Sequence, residues 1–202
     1  MTGDFTLGLV LQIALTVWGG PFAPSPARTG GSGQAIVEEV LLPGTAGAGA
    51  VSIIPIDPTV FVHRSTGARK IPSNGLVAVT ASGGLLLVDT AWTEAETEAI
   101  LKWGDERLGR PWTGAVITHD HDDRNGGIAA LQRRHIPIAA LDLTVAKLEK
   151  RGVRGVTTLF AAGDGVRKDE RGFEAYFPGA GHAPDNIVLR FPSVVFGGCL
   201  VK

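Results

Sequence analysis

The sequence predicts an α/β sandwich, with helices lying outside two packed β-sheets. Three observations predict it. After residue 34, short runs rich in Val, Ile and Phe are separated by Gly, Pro and Asp. From Thr93 onward such runs alternate with helical patterns. Hydrophobic residues make up 44% of the 202 positions and charged residues 19%, which is apolar material enough for one domain with a sizeable core.

The N-terminal region reads separately. Phe5 to Trp18 is an apolar run of signal-peptide length, too short for a transmembrane helix, and Gly19, Gly20 and Pro21 break it. Ser25-Pro26-Ala27 offers small residues for cleavage after Ala27, although no Lys or Arg precedes the run. The expected organisation is a secretory signal over 1–27, a Gly/Ser linker over 28–34, and a folded domain over 35–202.

Within that domain, Ala35–Leu42, Val51–Ile56 and Thr59–His63 are expected strands. Arg64–Pro72 is polar and reads as a hairpin loop. Asn74-Gly75 marks a turn into a strand at Leu76–Thr80, and Ser82-Gly83-Gly84 a turn into Leu85–Asp89. Leu85–Val88 is apolar without alternation, as in a buried strand, and ends on the polar Asp89. Thr93–Leu108 is a predicted helix, with Thr93 as N-cap and Glu96 at capping-box spacing. Ala115–Thr118 is a strand, Asn125–Arg134 a helix, Pro137–Leu141 a strand and Leu143–Arg151 a helix. Strands at Thr157–Phe160, Phe173–Phe177, Ile187–Phe191 and Val194–Phe196 complete the chain.

Charge excludes some partners. With 19 basic and 20 acidic residues the net charge is −1, which argues against nucleic acid or an anionic membrane. No stable membrane insertion is expected, and a monomer is the simplest assembly. The single cysteine, Cys199, cannot form an internal disulfide.

The chemistry concentrates in Thr118-His-Asp-His-Asp-Asp-Arg-Asn-Gly-Gly127. Two of the chain's five histidines stand here, and such a cluster is costly to bury without a cation. His119 and His121 alternate, so an extended segment places both rings on one face. A third imidazole, His182, in Gly181-His182-Ala183, completes a three-histidine set with an open fourth position, the pattern of catalytic zinc. Asp123 is either a partner of a histidine or, with Cys199, a ligand of a second metal. Asp120 and Asp122 read as exposed charges or as groups shaping the field around a dication. Gly126-Gly127 permits close packing behind the cluster. His63 reads as a strand residue facing solvent or core, and His135 as an exposed helix terminus.

The run His119-Asp-His121-Asp-Asp123-Arg124-Asn-Gly-Gly127 resembles the metallo-β-lactamase motif. Similar segments follow the family's order over most of residues 50–202: Ser73-Asn-Gly-Leu76, Asp89-Thr-Ala-Trp92, Gly179-Ala-Gly-His182-Ala-Pro-Asp-Asn186 and Phe196-Gly-Gly-Cys199-Leu-Val-Lys202. Arg124, Cys199 and a histidine at His119 point to the dizinc, cysteine-bearing subclass of class B. The resemblance implies an αββα sandwich of two mixed sheets. It implies a first zinc on His119, His121 and His182, a second on Asp123 and Cys199, and Lys202 pairing with the substrate carboxylate. It implies hydrolysis of the β-lactam amide by a metal-bound hydroxide oriented by Asp123, resistance to β-lactam antibiotics, and a periplasmic or secreted location. The loop around Arg64–Pro72 would close over the substrate.

The chain departs from the family pattern after Lys202, where a later Gly-His element supplies the third protein ligand of the second zinc. The second site is therefore expected to be incomplete, from a fragment record or a true truncation. Two rivals follow: a related zinc hydrolase acting on lactones or thioesters, against which Arg124, Cys199 and Lys202 speak, and a non-catalytic zinc-binding remnant.

Overall fold

Leu85, Leu86, Leu87 and Val88 are all fully buried, because the strand they form is covered on both faces. Leu85 and Leu87 join one hydrophobic cluster, and Leu86 and Val88 join the other. This period of two decides the layering. The computed structural model describes residues 38–43 and 49–200, all within one compact unit spanning Ile36–Lys202. The expected signal and linker over 1–34, and Lys202, lie outside the described residues.

The first sheet has eight strands in chain order: β1 (Val40–Leu41), β2 (Val51–Asp57), β3 (Val60–Ser65), β4 (Ser73–Val79), β5 (Leu85–Val88), β6 (Trp112–Ile117), β7 (Ile138–Leu141) and β8 (Val156–Phe160). Neighbours from β1 to β5 are antiparallel, and β5, β6, β7 and β8 run parallel. The second sheet is antiparallel, with β9 (Arg167–Asp169), β10 (Phe173–Tyr176), β11 (Val188–Arg190) and β12 (Val195–Phe196) in the order β12-β11-β10-β9.

Helices α1 (Glu94–Leu108), α3 (Ile128–Arg133) and α4 (Asp142–Lys150) supply Ile100, Leu101, Trp103, Leu131 and Leu148 to the first cluster, on one face of the large sheet. The second cluster lies between the sheets. There Leu76, Leu86, Val88 and Val116 meet Phe173, Ala175, Ile187 and Leu189. Each such fully buried Val, Leu, Ile or Phe side chain contributes roughly 1.5–3 kcal/mol. The expected sandwich of two packed sheets forms, with the helices on the outer face of the large, mixed sheet; the second sheet, also expected to be mixed, is antiparallel among the described residues.

Helix α1 starts and stops as its sequence dictates. The Thr93 side chain accepts from Glu96 N, and Gly109 closes the other end at φ 60° with its N–H on the Gly104 carbonyl. The Glu96 carboxylate departs from a simple capping box. One oxygen accepts the Thr93 hydroxyl at 2.9 Å, and the other accepts the Gly67 N–H at 2.9 Å. A helix cap thus also anchors the loop after β3. That loop is tied again where the Trp92 indole donates to the Ile71 carbonyl at 3.0 Å, while Ala68–Pro72 stay exposed.

Three expectations need correction. Asn74-Gly75 is no turn but the interior of β4, paired with Arg64 and His63. Gly75 is required because a side chain there would meet His63 Nε2 at 2.1 Å, so tertiary packing overrides the turn signal. The helix expected over Asn125–Arg134 is two pieces, α2 (Asp122–Asn125) and α3, broken at Gly126-Gly127. The break lets Gly126 back onto the Trp92 carbonyl and Gly127 onto the Thr97 hydroxyl. The strand β9 was not foreseen, since Arg167–Asp169 is polar and its partner β10 carries the apolar alternation.

Candidate metal centre

The site lies beyond the carboxyl ends of β5 and β6, adjacent parallel strands, where open α/β sheets place their ligands. β5 delivers Asp89 and β6 delivers Thr118 and His119. His119 and His121 do not lie on a pleated strand. A three-residue turn around Asp120, closed by the His121 N–H on the His119 carbonyl at 3.1 Å, folds the two rings together. His121 itself is extended (φ −133°, ψ 153°) and opens α2.

His182 arrives from the loop before β11. Two bonds fix that loop against the His119 turn: Ile187 N donates to Thr118 O at 3.0 Å, and Asp120 N donates to Asp185 Oδ2 at 2.9 Å. Asp185 is fully buried and also accepts the Thr144 hydroxyl and the Lys147 ammonium. Those donors hold its carboxyl below the usual range against the opposing effect of burial.

The three imidazoles converge. His119 Nε2 and His182 Nε2 each lie 3.1 Å from His121 Nδ1, and the ring centroids are 4.7–5.2 Å apart. A tetrahedral zinc with ordinary Zn–N bonds has ligand edges of about 3.3 Å, so the spacing fits. Proton accounting supports the fit. The Thr118 hydroxyl donates to Asp89 Oδ2 at 2.9 Å and so accepts from His119 Nδ1–H at 3.2 Å. His119 Nε2 is then an unprotonated donor atom aimed at the other two rings. Burial first, then the Arg124 charge, pushes the pKa of His119 down to about 4.

A second group lies alongside. His119, Asp123 and Cys199 also bring possible ligand atoms within 4.8 Å of one another. Cys199 sits in a 3₁₀ turn, Gly198–Leu200, its Sγ 3.6 Å from Asp123 Oδ2. Gly198 has φ 54°, and a side chain there would meet the Thr118 hydroxyl at 2.8 Å. Burial raises the Cys199 thiol, which Arg124 opposes. Ser73 Oγ donates to Asp123 at its carbonyl (3.0 Å) and is 3.3 Å from Oδ2.

Arg124 ties these parts together from beneath. It is 4% exposed. Its Nη2 is 2.9 Å from Cys199 Sγ, Nη1 is 3.3 Å from Asp89 Oδ2 and bonds the Asn74 carbonyl, and Nε is 3.1 Å from Asp123 Oδ2. Asp89 is fully buried at φ 60°, a strained conformation for this residue type. Burial raises its pKa to about 6, which Arg124 partly offsets. His63 supports the strained turn: buried in the core, it donates from Nε2 to the Asp89 carbonyl at 3.1 Å. His135 is exposed in the turn after α3, away from this chemistry.

All five described ligand candidates, His119, His121, His182, Asp123 and Cys199, are therefore brought together; Lys202 is outside the described residues. Sequence reasoning gave no role to Ser73, Thr118, Asp185, His63 or Arg151. Asp89 carried a signal, as a polar residue closing a buried strand, and Ser73 and Asp185 stand in segments that carry the family resemblance.

These environments set a pH dependence. Burial lowers His63 from 6.5 to about 4, as it does His119. A depressed folded-state pKa stabilises above 6.5 and is lost as pH falls toward 4. Asp89, raised from 3.8 to about 6, works oppositely: its contribution is present at low pH and lost as pH rises through 6. Two histidines oppose one aspartate. The metal-free chain is expected to lose stability between pH 6.5 and 4, and His63→Gln to flatten that fall, read by urea midpoints across the range.

An open depression of about 350 Å³ flanks the cluster, lined by Trp92, Asp120, His121, Asp122, Asp123 and Arg151. Among the described residues no helix is long and apolar enough to cross a membrane.

Comparison with known proteins agrees with this geometry. The family model of the metallo-beta-lactamase superfamily matches residues 70–201. The metallo-beta-lactamase type 2 of Bacillus sp. (strain 170) is 34% identical over 171 residues, 82% of this chain and 65% of that protein. That of Bacillus cereus is 34% identical over 159 residues, 76% of this chain and 62% of that protein. The chain thus spans just under two thirds of the length of these relatives. The crystal structure of the metallo-beta-lactamase FIM-1 from Pseudomonas aeruginosa, in a mono-zinc form, matches with a TM-score of 0.68 at 33% identity, over 75% of this chain and 70% of that one. A metallo-beta-lactamase from Pontibacter korlensis gives 0.66 at 34%, over 75% and 73%. On its fold, its clustered ligand candidates and these matches, the chain belongs to the metallo-beta-lactamase superfamily.

Proposed function

We infer that this chain is a zinc-dependent hydrolase that opens the β-lactam ring. The observation that carries the reading is the convergence of His119 Nε2, His121 Nδ1 and His182 Nε2 beside the Asp123–Cys199 pair. His119, His121 and His182 would hold one zinc, and Asp123 and Cys199 a second. When bound, zinc lowers the pKa of water toward 7 and polarises a carbonyl.

The chain's own residues do the rest. The Asp123 carboxylate borders the depression and is steadied by Ser73, Cys199 and Arg124, so it can orient the attacking water and take its proton. Arg124 lies beneath both Asp123 and Cys199 and offsets their negative charge. Trp92 offers an apolar wall to the substrate ring. Lys202 is assigned to the substrate carboxylate. No covalent acyl-enzyme is needed. A periplasmic or secreted location and a monomeric state belong to the same reading.

Nitrocefin turnover with and without a chelator tests it. Turnover that a chelator abolishes and added zinc restores is expected. Chelator-insensitive turnover would exclude metal chemistry. A zinc-loaded chain that ignores nitrocefin but cleaves a lactone or thioester would move the substrate class.

A further inference from the structure

His121 is flanked by two carboxylates, and both are held by one guanidinium. Arg151, at the C-terminal cap of α4, donates from Nη1 to Asp120 Oδ1 and from Nη2 to Asp122 Oδ1 at 2.8 Å. The residue before His121 and the residue after it are thus pinned to the same planar fork. Asp120 is the more constrained, with a side chain 10% exposed. Asn125 Nδ2 donates to the same Oδ1 at 2.8 Å, and the backbone N–H of Asp120 donates to Asp185 in the His182 loop. The clamp therefore joins α4, the His121 turn, α2 and the loop that presents His182.

We propose that Arg151 is a positioning residue that sets the His121 ring by holding both of its neighbours. This rests on the reading of His121 as a metal ligand. His121 is exposed, and it has no buried hydroxyl fixing its ring as Thr118 fixes His119. Its position depends on the backbone of a three-residue turn, and Arg151 grips the centre of that turn, Asp120, and the residue that follows it, Asp122. A single exposed ion pair contributes little. A bidentate fork gripping two carboxylates across a turn is a geometric restraint, which lysine, a point charge, cannot reproduce.

The test uses the whole chain with Arg151→Ala, Arg151→Lys and Asp122→Asn. In the metal-free protein, amide hydrogen exchange over residues 119–124 is expected to rise about tenfold in Arg151→Ala and Arg151→Lys. Exchange at Leu86–Val88, in the core, should not change. Zinc dissociation constants from chelator competition should rise about tenfold in both, the lower end for residues that support metal ligands, and less in Asp122→Asn, where the Asp120 arm remains. Wild-type values in Arg151→Ala, or full restoration by Arg151→Lys, would overturn the proposal. Should the parent chain bind no zinc, the hydrolase reading fails, and the exchange measurement alone still decides the clamp.

Discussion

His119→Ala is expected to weaken zinc binding at the imidazole position by more than about 100-fold. Residues that merely support metal ligands cost 10–100-fold when removed, so a ligand should cost more. His119 is the residue common to the two groups, the one with His121 and His182 and the one with Asp123 and Cys199. Its one free nitrogen, Nε2, faces the imidazole group, so its loss should resemble that of His182→Ala. His182→Ala should impair only the imidazole group, and Cys199→Ser only the Asp123 group. Zinc titrations against a competing chelator check this, with circular dichroism confirming that each variant is folded. A loss at the imidazole position in Cys199→Ser equal to that in the two histidine variants would contradict the assignment of two separate positions.

Arg124→Ala is expected to cost about 3–5 kcal/mol of stability, because it leaves a buried carboxylate unpaired. Asp89 is fully buried, and Arg124 is its cationic partner at 3.3 Å. The Thr118 amide and hydroxyl would remain as its donors, at 2.7 and 2.9 Å. They are neutral, so the Asp89 pKa should climb above about 6, extending the loss of stability as pH rises. Denaturant melts at pH 5 and pH 8 check both parts, with a larger deficit expected at pH 8. Arg124→Lys should restore much of the charge balance but cannot reach Asp89, Asp123, Cys199 and the Asn74 carbonyl together. A stability loss under 1 kcal/mol in Arg124→Ala would show that Asp89 is already neutral and needs no cation.

The sequence made the ligand types legible and left their support hidden, for physical reasons. His119, His121, His182, Asp123 and Cys199 are rare or clustered residues in glycine-flanked runs, and their chemistry shows without coordinates. β5 was legible because a strand buried on both faces must be apolar throughout. Asn74-Gly75 misled because a turn-forming pair sits in a strand when a neighbouring side chain, here His63, needs the missing Cβ volume. The split between α2 and α3 escaped because Gly126 and Gly127 answer to Trp92 and Thr97, residues far off in sequence. The supporting polar residues were invisible for the same reason. Asp185 is 65 positions from Asp120, and Arg151 is 31 and 29 from its two carboxylates. Nothing local distinguishes them from surface charges.

Counting zinc on the purified chain after equilibrium dialysis tests the central claim most directly, because the claim is that folding gathers three imidazoles around one dication. At least one zinc per chain is expected, bound tightly enough to survive dialysis and lost in His119→Ala. A folded chain that retains no zinc would contradict the account.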